Sequence, residues 1–345
     1  YVPVPKIKLG STGIVVEKNG FGALPIQRIS EDAAVKLLRR AYDGGMNFFD
    51  TSRAYTDSEA KISKAFKGMR NDVVIATKTM ARNVEDFWKD LDTSLKTLGT
   101  DYIDIYQFHV PPQCYLPGDG TGMYEAMEQA KRDGKILHIG FTNHKWKLAE
   151  ECILSGKFET IQYPLSYLTG ETELNLVSLS AKAGMGYIAM KGMAGGLINN
   201  ALAAGAFMAQ FDNVVPIWGI QRESELDDFL AQIDTPPAMT EELEKVIEKD
   251  RGELVGDFCR SCGYCMPCPQ NITINQCARI SLMLRRAPSE SWLDEKSQAM
   301  MAKVEKCTGC GLCKTRCPYG LDVPALLKKN LEDYKLVLAG KVSVK

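Results

Sequence analysis

Eight times between Gly20 and Trp218, a short run of apolar residues gives way to a longer stretch whose apolar residues recur at helical spacing. The runs are Gly20–Leu24, Phe48–Thr51, Val73–Lys78, Ile103–His109, Leu137–Phe141, Thr160–Tyr163, Tyr187–Met190 and Val214–Trp218. Nearly continuous hydrophobicity, rather than alternation, is what a parallel strand buried on both faces demands. The intervening stretches carry helix signals. Ser30 can cap the first, Glu31 and Asp32 suit its positive end, and Ala34, Leu37, Leu38 and Ala41 share one face before Gly44 and Gly45 stop it. Leu91, Leu95 and Leu98, closed by Gly99, repeat the pattern. Eight such units in about 230 residues predict an α/β chain built as a (β/α)8 TIM barrel. A doubly wound open sheet is the competing reading, but no Gly-x-Gly-x-x-Gly turn follows the first strand. A short strand pair, Lys6–Leu9 and Ile14–Glu17, turned at Ser11–Gly13, precedes the barrel.

The repeat ends near Ile233, and Thr235, Pro236 and Pro237 make a stiff break. A charged helix is then expected from Thr240 to about Gly256, with Leu243, Val246, Ile247, Leu254 and Val255 on its apolar side. At 1.5 Å per residue it would span roughly 25 Å, about the height of a barrel.

Beyond it lie eight of the eleven cysteines, in FCRSCGYCMPCP (Phe258–Pro269) and CTGCGLCKTRCP (Cys307–Pro318). The second run resembles half of a bacterial two-cluster ferredoxin, in which three thiolates spaced by three bind one iron–sulfur cube and a fourth, before proline, binds the other. That resemblance implies that Cys307, Cys310 and Cys313 join Cys268 on one 4Fe–4S cluster, and that Cys259, Cys262 and Cys265 join Cys317 on a second. The first run departs by one residue, because Met266 and Pro267 alone separate Cys265 from Cys268. Gly263, Gly309 and Gly311 suit loops whose amides crowd around sulfide. Zinc favours two CxxC pairs separated by a longer loop, and disulfides are rare where thiols stay reduced. Expected helices at Asn275–Arg286 and Trp292–Val304 resemble the all-helical kind of ferredoxin-like domain. The expected division is a barrel over 1–235, a linker helix over 236–256, an iron–sulfur domain over 257–330 and a solvated tail over 331–345 with Lys335, Lys341 and Lys345.

Polar residues close three of the predicted barrel strands: Asp50 in NFFDTSRAY, Lys78 in VVIATK and His109 in DIYQFH. Tyr55 follows five residues after Asp50. Side chains at the C-terminal ends of barrel strands converge on the mouth. There a lysine could favour the ionised form of a tyrosine, an aspartate could hold that lysine charged, and a histidine could donate to a substrate oxygen. In order and strand context these four resemble the Asp, Tyr, Lys and His tetrad of the aldo-keto reductase family, and the whole chain resembles its subgroup with a fused ferredoxin-like tail. The resemblance implies that Thr142, Asn143 and Gln162 face a nicotinamide carboxamide, that Gly219 opens the loop for the phosphate end, and that the cofactor is NADP(H) or NAD(H). The family's stacking tyrosine is replaced by Met190, followed by Lys191. Its phosphate-binding arginine aligns with Gln221, leaving Arg222 one place away.

Other residues are read more plainly. His138 is a satisfied group near the mouth, His144 a modest substrate contact, and Cys114, Cys152 and Cys277 are inert thiols. The loop PPQCYLPGDGTG is a candidate lid, and Tyr115, Trp146, Tyr163, Tyr167 and Trp218 offer aromatic surface to a substrate or simply pack. With a net charge of −1 and no polybasic block, neither nucleic acid nor an anionic membrane is an expected partner. The most apolar stretch, Ala201–Phe211, is too short to cross a bilayer, so a cytoplasmic protein is expected. The preferred reading is an oxidoreductase in which two 4Fe–4S clusters relay electrons between an external carrier, a ferredoxin or flavoprotein, and a carbonyl-type small-molecule substrate. The alternatives are an electron-transfer or assembly module with an inactive barrel, and an NADPH-dependent carbonyl reductase with structural clusters.

Overall fold

The computed structural model describes residues 5–254, 258–286 and 289–344. Eight parallel strands close on themselves: β3 (Gly20–Gly22), β4 (Phe48–Asp50), β5 (Val74–Thr79), β6 (Ile103–His109), β7 (Ile136–Thr142), β8 (Thr160–Pro164), β9 (Gly186–Met190) and β10 (Val214–Gly219), with β10 returning to β3. The open-sheet reading is thereby excluded. Helix Glu31–Asp43 begins where Ser30 accepts from the Ala33 amide, and helix Val84–Leu98 where Asn83 accepts from Asp86. Gly99 ends the latter at φ 66°, a conformation that costs glycine little.

The hairpin of β1 (Lys6–Lys8) and β2 (Val15–Glu17) belongs to one end of this barrel. Its Ile7 and Val16, with Leu9, share a core with Phe48, Ala76, Ile105, Ile188 and Val215. Gly10 is required there, since a Cβ would lie 2.3 Å from the Gly184 carbonyl oxygen. Side chains alternate along a strand. Two residues beyond this apolar layer the same strands therefore present Asp50, Lys78 and Gln107, which is how a plugged barrel acquires a polar opposite end.

The chain divides into two units, residues 1–192 with 201–245, and residues 193–200 with 246–345. The linker helix is Glu241–Glu253, started by Thr240, whose Oγ1 accepts from the Leu243 amide. At thirteen residues it is about 20 Å long, shorter than expected. Val255 and Gly256, assigned to it from sequence, lie outside the described residues, as does Lys345. In the second unit the helix expected over Asn275–Arg286 is broken into Ile274–Cys277 and Ile280–Arg286. Asn330, 52 positions along the chain from Ala278, stabilises the break by donating to the Ala278 carbonyl at 3.1 Å and accepting from the Ser281 amide at 2.9 Å. The expected tail is instead a sixteen-residue helix, Val323–Leu338, burying Leu327, Tyr334 and Val337. Its lysines, Lys328, Lys329 and Lys335, lie on its solvated face. Among the described residues no helix is long and apolar enough to cross a membrane.

Candidate active site and cluster ligands

Asp50 and Lys78 are 1% and 0% exposed, and Lys78 Nζ donates to Asp50 Oδ1 at 2.7 Å and to the Thr51 carbonyl at 2.6 Å. Gln162 and Gln107 reach the same carboxylate at 3.3 and 3.4 Å. Burial pulls Lys78 down, but Asp50 and Tyr55 outweigh it and hold the ammonium above its ordinary value. The Tyr55 ring lies beside it, its centroid 5.1 Å from Lys78 Nζ and 5.8 Å, edge-on, from the His109 ring. Burial raises the Tyr55 hydroxyl pKa, with Lys78 pulling the other way and Asp50 adding to the rise. The four side chains thus stand together, with a fixed positive charge under a phenol.

His109 is neutral. Burial, then the charges of Lys78, His144 and Arg82, push it well below its ordinary value. Ser52, not singled out from sequence, lies with Oγ 2.9 Å from His109 Nδ1 and also accepts from the Ala54 amide at 3.2 Å. A serine hydroxyl has one proton to give. Spent on Nδ1, it leaves the imidazole hydrogen on Nε2, where it can be donated to a substrate oxygen.

The family described as "Aldo/keto reductase family" matches residues 18–213, more than half of the chain, and a "4Fe-4S dicluster domain" matches residues 258–322. The chain belongs to the aldo/keto reductase family. L-galactose dehydrogenase of Arabidopsis thaliana is 32% identical over 210 residues, 55% of this chain and 66% of that protein. The aldo-keto reductase YhdN of Bacillus subtilis is 32% identical over 188 residues, 48% of this chain and 55% of its own length. The chain thus spans roughly half to two thirds of these relatives. Two solved structures share the fold. An aldo-keto reductase from Bacillus halodurans in its holo form has a TM-score of 0.62 at 22% identity, covering 72% of this chain and 96% of its own. One from Klebsiella pneumoniae in complex with NADPH has a TM-score of 0.61 at 20% identity, covering 71% and 95%.

Against this family background the two ends of the expected nicotinamide position differ. At the carboxamide end Thr142, Asn143 and Gln162 are all buried. The Oε1 atoms of Gln162 and of Gln107, a residue the sequence reading passed over, are buried acceptors with no partner among the described residues, which suits an amide donor. Asn143 is less available, because its Oδ1 already accepts from the His144 and Lys145 amides at 2.8 and 2.7 Å. At the phosphate end Glu225 occupies the site. Its Oε2 accepts from the Gln221 and Arg222 amides at 2.9 and 3.1 Å, and its Oε1 takes the Arg222 guanidinium at 2.6 Å. A carboxylate thus fills the helix-end donors that a phosphate would use, and the phosphate end does not fit as it stands. Met190 and Lys191 are half-buried at the end of β9, Lys191 at φ 62°, and Gly219 is exposed at the end of β10.

Other expectations change. Tyr115, Tyr163, Tyr167 and Trp218 are 2% exposed or less and belong to the core; Trp218 stacks on Phe229 at 4.1 Å and donates to Asn19 at 2.7 Å. Trp146 alone of the five is half-buried. Within the candidate lid, Asp119 accepts from the Leu116 and Thr121 amides and so shapes the loop's own turns. His138 sits toward the N-terminal end of β7, away from the mouth, 2.8 Å from Glu159. His144 is 8% exposed, and burial, then Lys191, lowers it to about 3.

In the second unit one cavity is lined by Cys268, Cys307, Cys310 and Cys313, and also by Cys265. Burial, then the charges of Cys259 and Cys262, push the Cys265 thiol up to about 12. Cys259, Cys268 and Cys317 pack against the same core. The Ser261 and Gln270 amides donate to the sulfurs of Cys259 and Cys268 at 3.4 Å, and Gly263, Gly309 and Gly311 all take positive φ. Thiolates served by backbone amides in glycine-shaped loops fit iron–sulfur ligation.

Proposed function

We propose that this protein is an iron–sulfur oxidoreductase that interconverts a carbonyl-type small molecule and its alcohol at Tyr55, with two 4Fe–4S clusters, on Cys307, Cys310, Cys313 and Cys268 and on Cys259, Cys262, Cys265 and Cys317, relaying electrons to or from an external ferredoxin or flavoprotein. One observation carries this reading: the buried Asp50–Lys78 ion pair beneath Tyr55 in a chain that also bears two cysteine runs. Reduction of a carbonyl to an alcohol takes a hydride equivalent at carbon (two electrons and a proton), which an amide-bearing ring carrier would supply when bound, and one further proton at oxygen. Tyr55 gives one proton to the carbonyl oxygen, Lys78 stabilises the phenolate left behind, Asp50 keeps Lys78 charged, and His109 Nε2 orients the oxygen. The clusters, when bound, supply electrons singly. The Gln107 and Gln162 oxygens, unpartnered among the described residues, favour a nicotinamide or similar amide-bearing ring as resident carrier. Glu225 favours one without a phosphate at that end.

The test uses anaerobically purified full-length protein with a reduced carrier. Tyr55→Phe should lower carbonyl turnover by at least about 100-fold, the scale of general acid catalysis, while cluster absorbance is kept. Undiminished turnover overturns the tetrad's role and favours an inactive barrel. Rapid bleaching of the clusters by NADH, or less readily by NADPH, would show that the two units exchange electrons. Turnover driven by either nucleotide without bleaching would leave the clusters structural.

A further inference from the structure

Arg279 stands at the break between helices Ile274–Cys277 and Ile280–Arg286 and is 2% exposed. Nη2 donates to the Gly195 carbonyl and lies 2.8 Å from Met283 Sδ, both within the second unit. Nε and Nη1 are buried with no hydrogen-bond partner, and no carboxylate pairs with the guanidinium, among the described residues. A guanidinium cannot discharge itself by losing a proton near neutral pH, and an uncompensated buried charge is costly. The fold must therefore offer it a negative group. Its chain neighbours Ala278 and Ile280 belong to the core against which Cys259, Cys268 and Cys317 pack, and among the described residues Cys259 is the acidic group that bears on it.

We propose that Arg279 is the built-in counter-charge of the cluster held by Cys259, Cys262 and Cys265, donating from Nε and Nη1 to a ligand or sulfide sulfur and raising that cluster's reduction potential. The inference rests on the cluster assignment above. Reduction adds one electron to a centre that is already negative, so a fixed cation in a low-dielectric interior stabilises the reduced form more than the oxidised one. Lys306, Lys314 and Arg316, near the other run, are exposed, and water and salt weaken their effect. Electrons arriving at the cluster of Cys307, Cys310 and Cys313 would then settle on the cluster beside Arg279, which gives the relay a direction.

The test is an EPR-monitored redox titration of anaerobic full-length holoprotein, with iron and sulfide measured on the same samples. In Arg279→Gln one midpoint should fall so far that the reduced-to-oxidised ratio at a fixed poise drops tenfold or more, equivalent to about 59 mV for a one-electron couple. The other midpoint stays in place. Arg279→Lys, which keeps the charge but loses the fork, should fall less. Arg260→Gln, whose guanidinium lies 4.1 Å from the Tyr319 ring centroid, should shift either ratio less than threefold. Unchanged midpoints in Arg279→Gln at full iron content overturn the proposal, as does an equal fall of both. If Arg279 variants lose iron, Arg260→Gln protein grown on 15N-arginine decides by pulsed EPR. A strong 15N coupling on one reduced cluster supports the assignment and its absence overturns it. A wild-type protein that binds no iron or sulfide fails the cluster reading itself, which the metal analysis shows separately.

Discussion

In the barrel, Lys78 meets Asp50 at 2.7 Å, Arg70 meets Asp104 at 2.7 Å, and Glu59 collects Arg53, Thr77 and Ser94 at 2.6 to 2.7 Å. These charges find their partners within the polypeptide. In the second unit Arg279 has no carboxylate among the described residues, and Cys265 and Cys313 are buried in the core itself. The first unit is organised by protein groups that satisfy one another. The second is organised around chemistry that the side chains alone do not complete. The contrast teaches where each unit should be vulnerable.

The largest expected effect breaks the second unit alone. Removing iron with a chelator under argon should abolish one of two calorimetric unfolding transitions and leave the barrel's in place, because binding to the native form is stability. Loss of both transitions, or of neither, would erase the contrast. Next comes the barrel's own pairing. Lys78→Met leaves Asp50 buried without its cation and should cost roughly 3–5 kcal/mol in urea unfolding of the barrel, against near-zero change in the second unit.

A smaller effect is acid sensitivity confined to the barrel. The folded pKa values of His109 and His144 lie below the unfolded value of about 6.5. Below pH 6.5 the unfolded chain therefore binds protons that the folded barrel refuses, and stability falls as pH falls, by up to about 1.4 kcal/mol per pH unit for each histidine. Urea midpoints at pH 7 and 5.5 measure it, and His144→Gln should remove about half of the difference. The smallest effect sharpens the site. Ser52→Ala should cost about 1 kcal/mol, one hydrogen bond, yet mix the His109 tautomers as read by imidazole 15N shifts. Ser52→Thr should restore the single tautomer.

The strands and the polar residues at their ends were legible because they depend on local rules. Continuous apolar runs mark buried parallel strands, and period-two alternation carries the interior face from Phe48 to Asp50 and from Ala76 to Lys78. The cysteine spacing likewise announced metal chemistry without any fold. Other features depend on residues far apart in the chain. Tyr163 and Tyr167 could have been pocket surface or packing and are core, since sequence does not say which aromatic a neighbouring helix will cover. Asn330 decides a helix break 52 residues away, and the lysines of Val323–Leu338 masked the apolar face that docks Leu327 and Tyr334. Glu225 filling the helix-end donors, Ser52 on His109 and the unpaired Arg279 are likewise tertiary facts. Spacing along the chain fixes which side chains a strand or loop presents. Only packing in three dimensions decides which of them find partners, and an unmet buried charge is visible only once its surroundings are complete.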